Sequence, residues 1–163
     1  MKTLIGHITS SAPGIDTLPV RAAIGIIFVA HGAQKLFGWF GGYGLEATGG
    51  WMASIGLEPG VLMAALAGGA EFFGGLALIL GFLVRPAAAV LALTMLVAIV
   101  TVHLPNGLFM TNNGYEFGLA LLAASAGLAI RGAGSFSVDH WLGARGQGDV
   151  LRANIEQRKL EEA

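Results

Sequence analysis

Four long stretches of almost uncharged sequence constrain this chain more than any other feature. They cover residues 18–40, 60–84, 86–103 and 115–130. Each stretch is close to the about 20 residues that a helix needs to cross the roughly 30 Å hydrocarbon core of a bilayer. Charged residues make up 12% of the 163 residues, too few to cover the surface of a soluble domain of this size. The sequence therefore predicts an all-α integral membrane protein, a four-helix bundle in contact with the lipid bilayer.

The distribution of basic residues predicts the orientation of the bundle. With four spans, Lys35 is the one basic residue that lies toward the outer side. Because Lys and Arg collect in cytoplasmic loops, both termini are predicted to be cytoplasmic. Residues 1–17 then form a cytoplasmic N-terminal segment, residues 18–131 the four-helix domain and residues 132–163 a cytoplasmic tail. The basic residues predicted on the inner side are Lys2, Arg21, Arg85, Arg131, Arg145, Arg152, Arg158 and Lys159.

Several ionisable residues fall at membrane depth in this arrangement. At about 1.5 Å per residue from the inner side, Lys35, Glu71 and Glu116 all lie about 21–22 Å up, on three different helices. His31 lies lower, at about 15 Å, and His103 higher, at about 27 Å. An unpaired carboxylate at the position of Glu71 costs roughly 2.5–3.5 kcal/mol. We predict that Glu71 pairs with Lys35, His31 or both. Glu116 is predicted beside it, so that one carboxyl exchanges protons near neutral pH.

Each of these residues also has a purely structural explanation. Lys35 can extend its ammonium outward to the membrane surface, and Glu71 can form a structural bond to it. His103 and Glu116 lie near predicted helix ends, where water is close. A haem between His31 and His103 is disfavoured by their difference of about 12 Å in depth.

Other site classes receive little support from the sequence. A metal bound by Glu and His side chains stays open chemically, but the Glu-x-x-His pairs of di-iron bundles are missing, and no metal ligands are assigned. The chain has no Cys and therefore no thiol chemistry of its own. Nucleic-acid binding is not expected, because the cytoplasmic basic residues are scattered and matched by acidic ones.

Four sequence blocks resemble the DoxX family of small bacterial membrane proteins. The first is HGAQKLFG at 31–38, and the second is EFFGG at 71–75. His103 and GYE at 114–116 are similar to the third block. GSFSVD at 134–139 resembles the closing block, with Val in place of the usual Leu. The resemblance implies a four-helix, multi-pass protein of the bacterial inner membrane.

The resemblance also implies a class of function. Relatives are linked to thiosulfate:quinone oxidoreductase and quinol-oxidase subunits, to membrane redox complexes, and to resistance to catechols and quinones. The first hypothesis is therefore a redox-associated protein, with a quinone as the candidate cofactor or ligand in an outer-half pocket. Its catalytic, proton-handling candidates are Glu71, Glu116, His31 and His103, and its ligand-binding candidates are Lys35, Gln34, Phe37, Trp39 and Phe72.

Two other functions are compatible with the same sequence. The protein could be a non-catalytic anchor or assembly subunit that recruits a soluble oxidoreductase or another redox-complex subunit. It could also be a proton-coupled exporter of small aromatic compounds, with the carboxylates as a proton relay. Four spans are few for transport by a monomer, so the exporter hypothesis predicts a homo-oligomer.

Overall fold

The computed structural model describes residues 17–144, and every regular element in that part of the chain is helical. This confirms the all-α fold class. Residues 1–16 and 145–163 lie outside the described part, and with them five of the basic residues behind the predicted orientation: Lys2, Arg145, Arg152, Arg158 and Lys159. The main helices are α1 (Leu18–Phe37), α2 (Gly44–Ser54), α3 (Gly60–Leu80), α4 (Val84–Ala98) and α5 (Glu116–Arg131).

Short helical turns complete the described chain. A π-helical turn, Ile99–His103, continues α4 and runs into a 3-10 turn at Leu104–Asn106. There are two more 3-10 turns: Trp39–Gly41 follows α1, and Met110–Asn112 precedes α5. Residues 138–144 are again helical.

Within residues 17–144, three helical segments are long and apolar enough to cross a membrane. They are Leu18–Phe37, Gly60–Leu80 and the continuous helical run Val84–Asn106, with mean hydropathies of 1.3, 1.7 and 2.4. Large apolar side chains point away from the bundle on several helices, as lipid contact requires; Leu66 and Leu93 are 59% and 61% exposed. α5 has 16 residues, about 24 Å of helix. A fourth span and cytoplasmic termini stay predictions.

Glycine and proline set the helix boundaries. Pro19 occupies the first turn of α1, where a missing N–H costs nothing. Gly38 follows the last residue of α1 and Gly81 the last residue of α3, both with left-handed backbone (φ 72° and 71°). Because of Gly81, α3 ends at Leu80, four residues before the predicted limit at 84.

α1 and α3 form the most extensive helix pair, with glycines on both helices at the contact. Gly25 and Gly32 of α1 face Gly75 and Gly68 of α3. A Cβ added at Gly32 would lie 2.7 Å from the Gly68 carbonyl oxygen, and one at Gly75 would lie 2.7 Å from the Gly25 carbonyl oxygen. Glycine therefore lets the two backbones touch, which membrane helices use in place of a hydrophobic driving force.

The segment after α5 folds back on the Arg21 end of the bundle through a buried polar network. Arg21 is 1% exposed, and its guanidinium donates to the backbone carbonyls of Ala133 and Phe136. Asp139, also 1% exposed, accepts the backbone N–H groups of Leu83 and Val84 at 2.8 and 3.0 Å. The carboxylate thus caps the first turn of α4 from a distant part of the chain.

Candidate functional site

An ion pair between α1 and α3 confirms the predicted partnership of Glu71 and Lys35. The Lys35 Nζ donates to the Glu71 Oε2 at 2.6 Å. The Glu71 side chain is 4% exposed and that of Lys35 is 25% exposed. The carboxylate is therefore enclosed by protein, while its ammonium partner keeps one side open.

The glycine contacts between α1 and α3 bring the two charged side chains within reach of each other. Gly32 lies three residues before Lys35, and Gly68 lies three residues before Glu71, so each glycine is about one turn from the charged residue of its own helix. A Cβ at Gly68 would lie 3.1 Å from the Lys35 Cβ. Because the helices approach so closely, a carboxylate on α3 reaches the ammonium on α1 directly.

Three aromatic residues close in sequence to the ion pair pack on one another. Phe72, the neighbour of Glu71, meets Phe37 edge-on with ring centroids 5.3 Å apart. Trp39 packs on the other side of Phe37 at 5.0 Å. Phe37 and Trp39 are about half exposed, at 49% and 55%. The structure thus brings together the three aromatic residues predicted as apolar walls, with faces open to the surroundings.

His31 lies one turn before Lys35 on α1 and is exposed. Its ring is 6.1 Å from that of Phe117 on α5. Among residues 17–144 its ring nitrogens have no hydrogen-bond partner. Gln34, by contrast, donates through Nε2 to the Phe40 carbonyl at 3.2 Å, which ties the end of α1 to the turn that follows. His31 can therefore still form hydrogen bonds to a ligand, whereas the Gln34 amide already uses one of its donors within the protein.

Glu116 and His103 bind the connection between α4 and α5 and not the Lys35–Glu71 pair. The Glu116 Oε1 accepts the Met110 backbone N–H at 2.6 Å. The His103 Nδ1 is 2.9 Å from the Asn113 carbonyl oxygen, and Asn106 donates to the same oxygen at 3.2 Å. These contacts fit the structural explanation for both residues, because they hold the loop that leads into α5.

Two further features bear on ligand chemistry. Within the described part of the chain, no three His, Asp or Glu side chains are grouped so that they could hold a metal ion. A groove of about 230 Å³ lies at the Arg21 end, between α1 and α5. It is about 15 residues of α1 away from Lys35, or roughly 22 Å along the helix axis.

No role beyond orientation was predicted for Arg21, and none for Asp139. Both are among the most deeply buried residues of the described chain. The one available signal was the block GSFSVD at 134–139, whose Asp139 closes the network described above. A sequence pattern shows no burial, so it could not indicate that this Asp reaches the first turn of α4.

Comparisons with known proteins identify the family of this chain. A protein of Bacillus subtilis (strain 168) named "Putative oxidoreductase CatD" is 36% identical to this chain over 125 residues, which cover 77% of the chain and 85% of that relative. No solved structure matches the chain. The DoxX family model matches residues 17–104, a range that contains the glycine contacts, the Lys35–Glu71 pair and His31. The chain therefore belongs to the DoxX family.

Proposed function

We propose that this protein is a multi-pass, redox-associated protein of the inner membrane that binds a quinone or quinone-like compound beside the Lys35–Glu71 pair. One observation carries the proposal: the enclosed Glu71 carboxylate pairs with Lys35, which lies one helical turn from His31, an imidazole without a hydrogen-bond partner among residues 17–144. The aromatic residues that follow Lys35 and Glu71 in sequence pack on one another. Ionisable groups at membrane depth mark functional sites more often than not. The name of the relative from Bacillus subtilis supports a redox role.

The chemistry of a quinone fits the side chains present. A quinone ring is flat and apolar except for its two carbonyl oxygens, which accept hydrogen bonds. Phe37, Trp39 and Phe72 offer aromatic faces and edges for the ring. His31 and the open side of Lys35 offer N–H donors for the carbonyls.

Reduction of a quinone also consumes protons, so a binding site needs groups that hold and release them. The geometry favours Glu71 and His31 for this role among the four predicted candidates. Glu116 and His103 are engaged with the loop before α5. The electrons must be supplied from outside this chain, and a soluble oxidoreductase is the proposed donor.

Binding of a defined quinone to the protein in lipid nanodiscs tests this proposal. The probe is a benzoquinone with one prenyl unit, and the readout is its equilibrium dissociation constant. His31→Phe should weaken binding by about 2- to 10-fold, the range expected when a hydrogen bond between neutral groups is lost. Glu71→Gln should weaken it by a similar factor, because Lys35 loses the carboxylate that positions its ammonium. Glu46→Gln, at an exposed carboxylate of α2, is the matched control and should bind like the wild type.

The other two functions make different predictions in the same samples. An anchor subunit would bind no quinone and would tolerate Glu71→Gln while retaining a soluble enzyme partner. An exporter would show proton-dependent uptake of small aromatic compounds into proteoliposomes. Saturable quinone binding that is unchanged in both Glu71→Gln and His31→Phe would place the ligand elsewhere and refute the proposed site.

A further inference from the structure

Phe40, in the turn after α1, has a backbone conformation that bulky residues rarely adopt. Its φ is 54° and its ψ is 32°, in the left-handed region. Among residues 17–144, the other non-glycine residues with a positive φ are Leu83 and Asn113. Asparagine tolerates this region, and the Leu83 N–H is held by the buried Asp139. Phe40 lies directly after Trp39 of the candidate site, and strain of this kind collects at ligand sites where the surrounding structure holds it in place.

Contacts with Gln34 hold the turn that contains Phe40 against the end of α1. The Gln34 Nε2 donates to the Phe40 carbonyl oxygen at 3.2 Å. Gly42 lies against the Gln34 backbone, because a Cβ added at Gly42 would be 2.5 Å from the Gln34 carbonyl oxygen. The Gly42 N–H donates to the Trp39 carbonyl oxygen at 3.0 Å. The turn 38–42 therefore folds back onto the helix that carries Gln34.

The path of this turn sets the position of the Trp39 ring. That ring lies 5.0 Å from the ring of Phe37, which in turn meets Phe72 of α3. α1 fixes one end of the turn, and the contact of Gly42 with α1 fixes the other. A change of φ at Phe40 must therefore move Trp39, which lies between the two fixed ends.

The Gln34 hydrogen bond and the backbone preference of Phe40 are of similar size. A bulky residue disfavours the left-handed region by about 5- to 30-fold. A hydrogen bond between neutral groups is worth about 2- to 10-fold. Loss of the Gln34 donor therefore removes a large part of what offsets the strain, and Phe40 should leave the left-handed region in many of the molecules.

We infer that Gln34 is a positioning residue for the ligand ring: its side-chain amide holds Phe40 in the left-handed conformation and thereby keeps Trp39 against Phe37. This inference rests on the proposed function, and it changes the role of Gln34, which was predicted to bind the ligand itself. Gln34 acts on the ligand through the aromatic ring that it positions.

A pair of substitutions separates positioning from direct contact. Gln34→Met keeps the length of the side chain and removes its N–H donors. Phe40→Gly lets the backbone adopt a positive φ at no steric cost, so it should compensate for the lost hydrogen bond. Phe40→Ala removes the same ring without giving this freedom and is the control for Phe40→Gly.

Ser54→Ala is the matched control for Gln34→Met. The Ser54 hydroxyl donates to the Trp51 carbonyl oxygen at 2.7 Å, which is also an exposed bond from a side chain to the backbone at the end of a helix. Loss of this bond should change neither the position of Trp39 nor the binding of the ligand.

Two measurements report the two parts of the inference. Fluorine NMR of fluorotryptophan at position 39 reports the ring current of Phe37 without any ligand, in a protein that also carries Trp51→Phe and Trp141→Phe. The Phe37→Leu variant gives the chemical shift of Trp39 without this ring. The dissociation constant of the benzoquinone with one prenyl unit, measured in nanodiscs in the same background, reports the ligand site.

Gln34→Met should move the Trp39 signal toward its position in Phe37→Leu and weaken quinone binding by about two- to tenfold. Addition of Phe40→Gly should return both values toward those of the parent protein. Addition of Phe40→Ala should not.

A Trp39 signal that is unchanged in Gln34→Met overturns the inference. A loss of quinone binding that Phe40→Gly does not reduce also overturns it, because Gln34 then contacts the ligand directly. Both outcomes leave the proposed function intact. Failure of the quinone to bind the parent protein refutes the proposed function, while the fluorine signal still decides whether Gln34 holds the turn.

Discussion

The contact between α1 and α3 makes a quantitative prediction at Gly32. Alanine at this position places its Cβ 2.7 Å from the Gly68 carbonyl oxygen and 2.8 Å from the Phe72 Cα. Ordinary contacts of a Cβ begin at 3.4 Å. The Phe72 backbone nitrogen lies nearer still. The helices must therefore part by more than about 0.7 Å at this point, since all these atoms belong to the backbone and cannot rotate away.

The free-energy cost follows from comparison with a second glycine. Overpacking of this kind costs about 1–3 kcal/mol. Replacing a helical Gly by Ala also gains about 1 kcal/mol of helix propensity. Gly69→Ala gains the same propensity without a clash, because its Cβ meets open space. The difference between Gly32→Ala and Gly69→Ala thus isolates the packing cost, which we expect to be about 1–3 kcal/mol.

Reversible unfolding in mixed micelles, with denaturing detergent as the titrant, measures this difference. The same preparations also test the effect on the ion pair, because parting of the helices lengthens the 2.6 Å contact of Lys35 with Glu71. Gly32→Ala should therefore also weaken quinone binding, whereas Gly69→Ala should not. Free energies of unfolding that agree within about 0.5 kcal/mol for the two variants would refute the backbone contact between α1 and α3.

Three further predictions concern the charged side chains. Asp139→Ala should lower the free energy of unfolding by about 1–3 kcal/mol and speed hydrogen exchange at the Val84 amide, because the acceptor of a buried N–H is lost; unchanged exchange would refute the cap. The charge-reversed double variant, Lys35→Glu with Glu71→Lys, should be more stable than either single variant in the same unfolding assay. The double-mutant cycle should then give a favourable coupling energy between the two residues. Additive effects would show that the two residues do not interact. Glu116→Ala should increase proteolysis of the 104–115 connection without changing quinone binding, because its carboxylate accepts the Met110 N–H. A loss of quinone binding would show that Glu116 takes part in the ligand site.

The fold was predictable where one physical requirement dominates. Apolar stretches of about 20 residues can only be helical in a bilayer, because every backbone N–H and C=O must be paired within the segment. α1, α3 and the helical run Val84–Asn106 satisfy this requirement. α2 was not anticipated as a helix of 11 residues, because its glycine-rich sequence carries little helical signal. The boundary at Gly81 depends on a left-handed backbone that a pattern of apolar residues does not reveal.

The membrane depth of the candidate site residues could be predicted from the sequence, but the direction in which each side chain points could not. Counting residues from the basic ends placed Glu71 and Lys35 at one level, and the structure joins them. The same count put Glu116 at that level too, yet its carboxylate faces a loop. Axial position follows from sequence because the rise per residue is fixed. The direction around the helix depends on which faces pack, and four helices with apolar residues on every side leave that undecided.

The polar clusters at the Arg21 end and at the Lys35 end differ in the kind of hydrogen bond that holds them together. At the Arg21 end, each hydrogen bond of Arg21 and Asp139 goes to backbone, so these side chains fix the path of the chain. At the Lys35 end, the bond joins two side chains, and His31 beside it has no partner among residues 17–144. A bond between side chains can open and re-form without moving the backbone, and an unpaired imidazole in an apolar medium gains from any ligand that accepts or donates a hydrogen bond. The Lys35 end is therefore where a polar ring from the membrane gains most by binding.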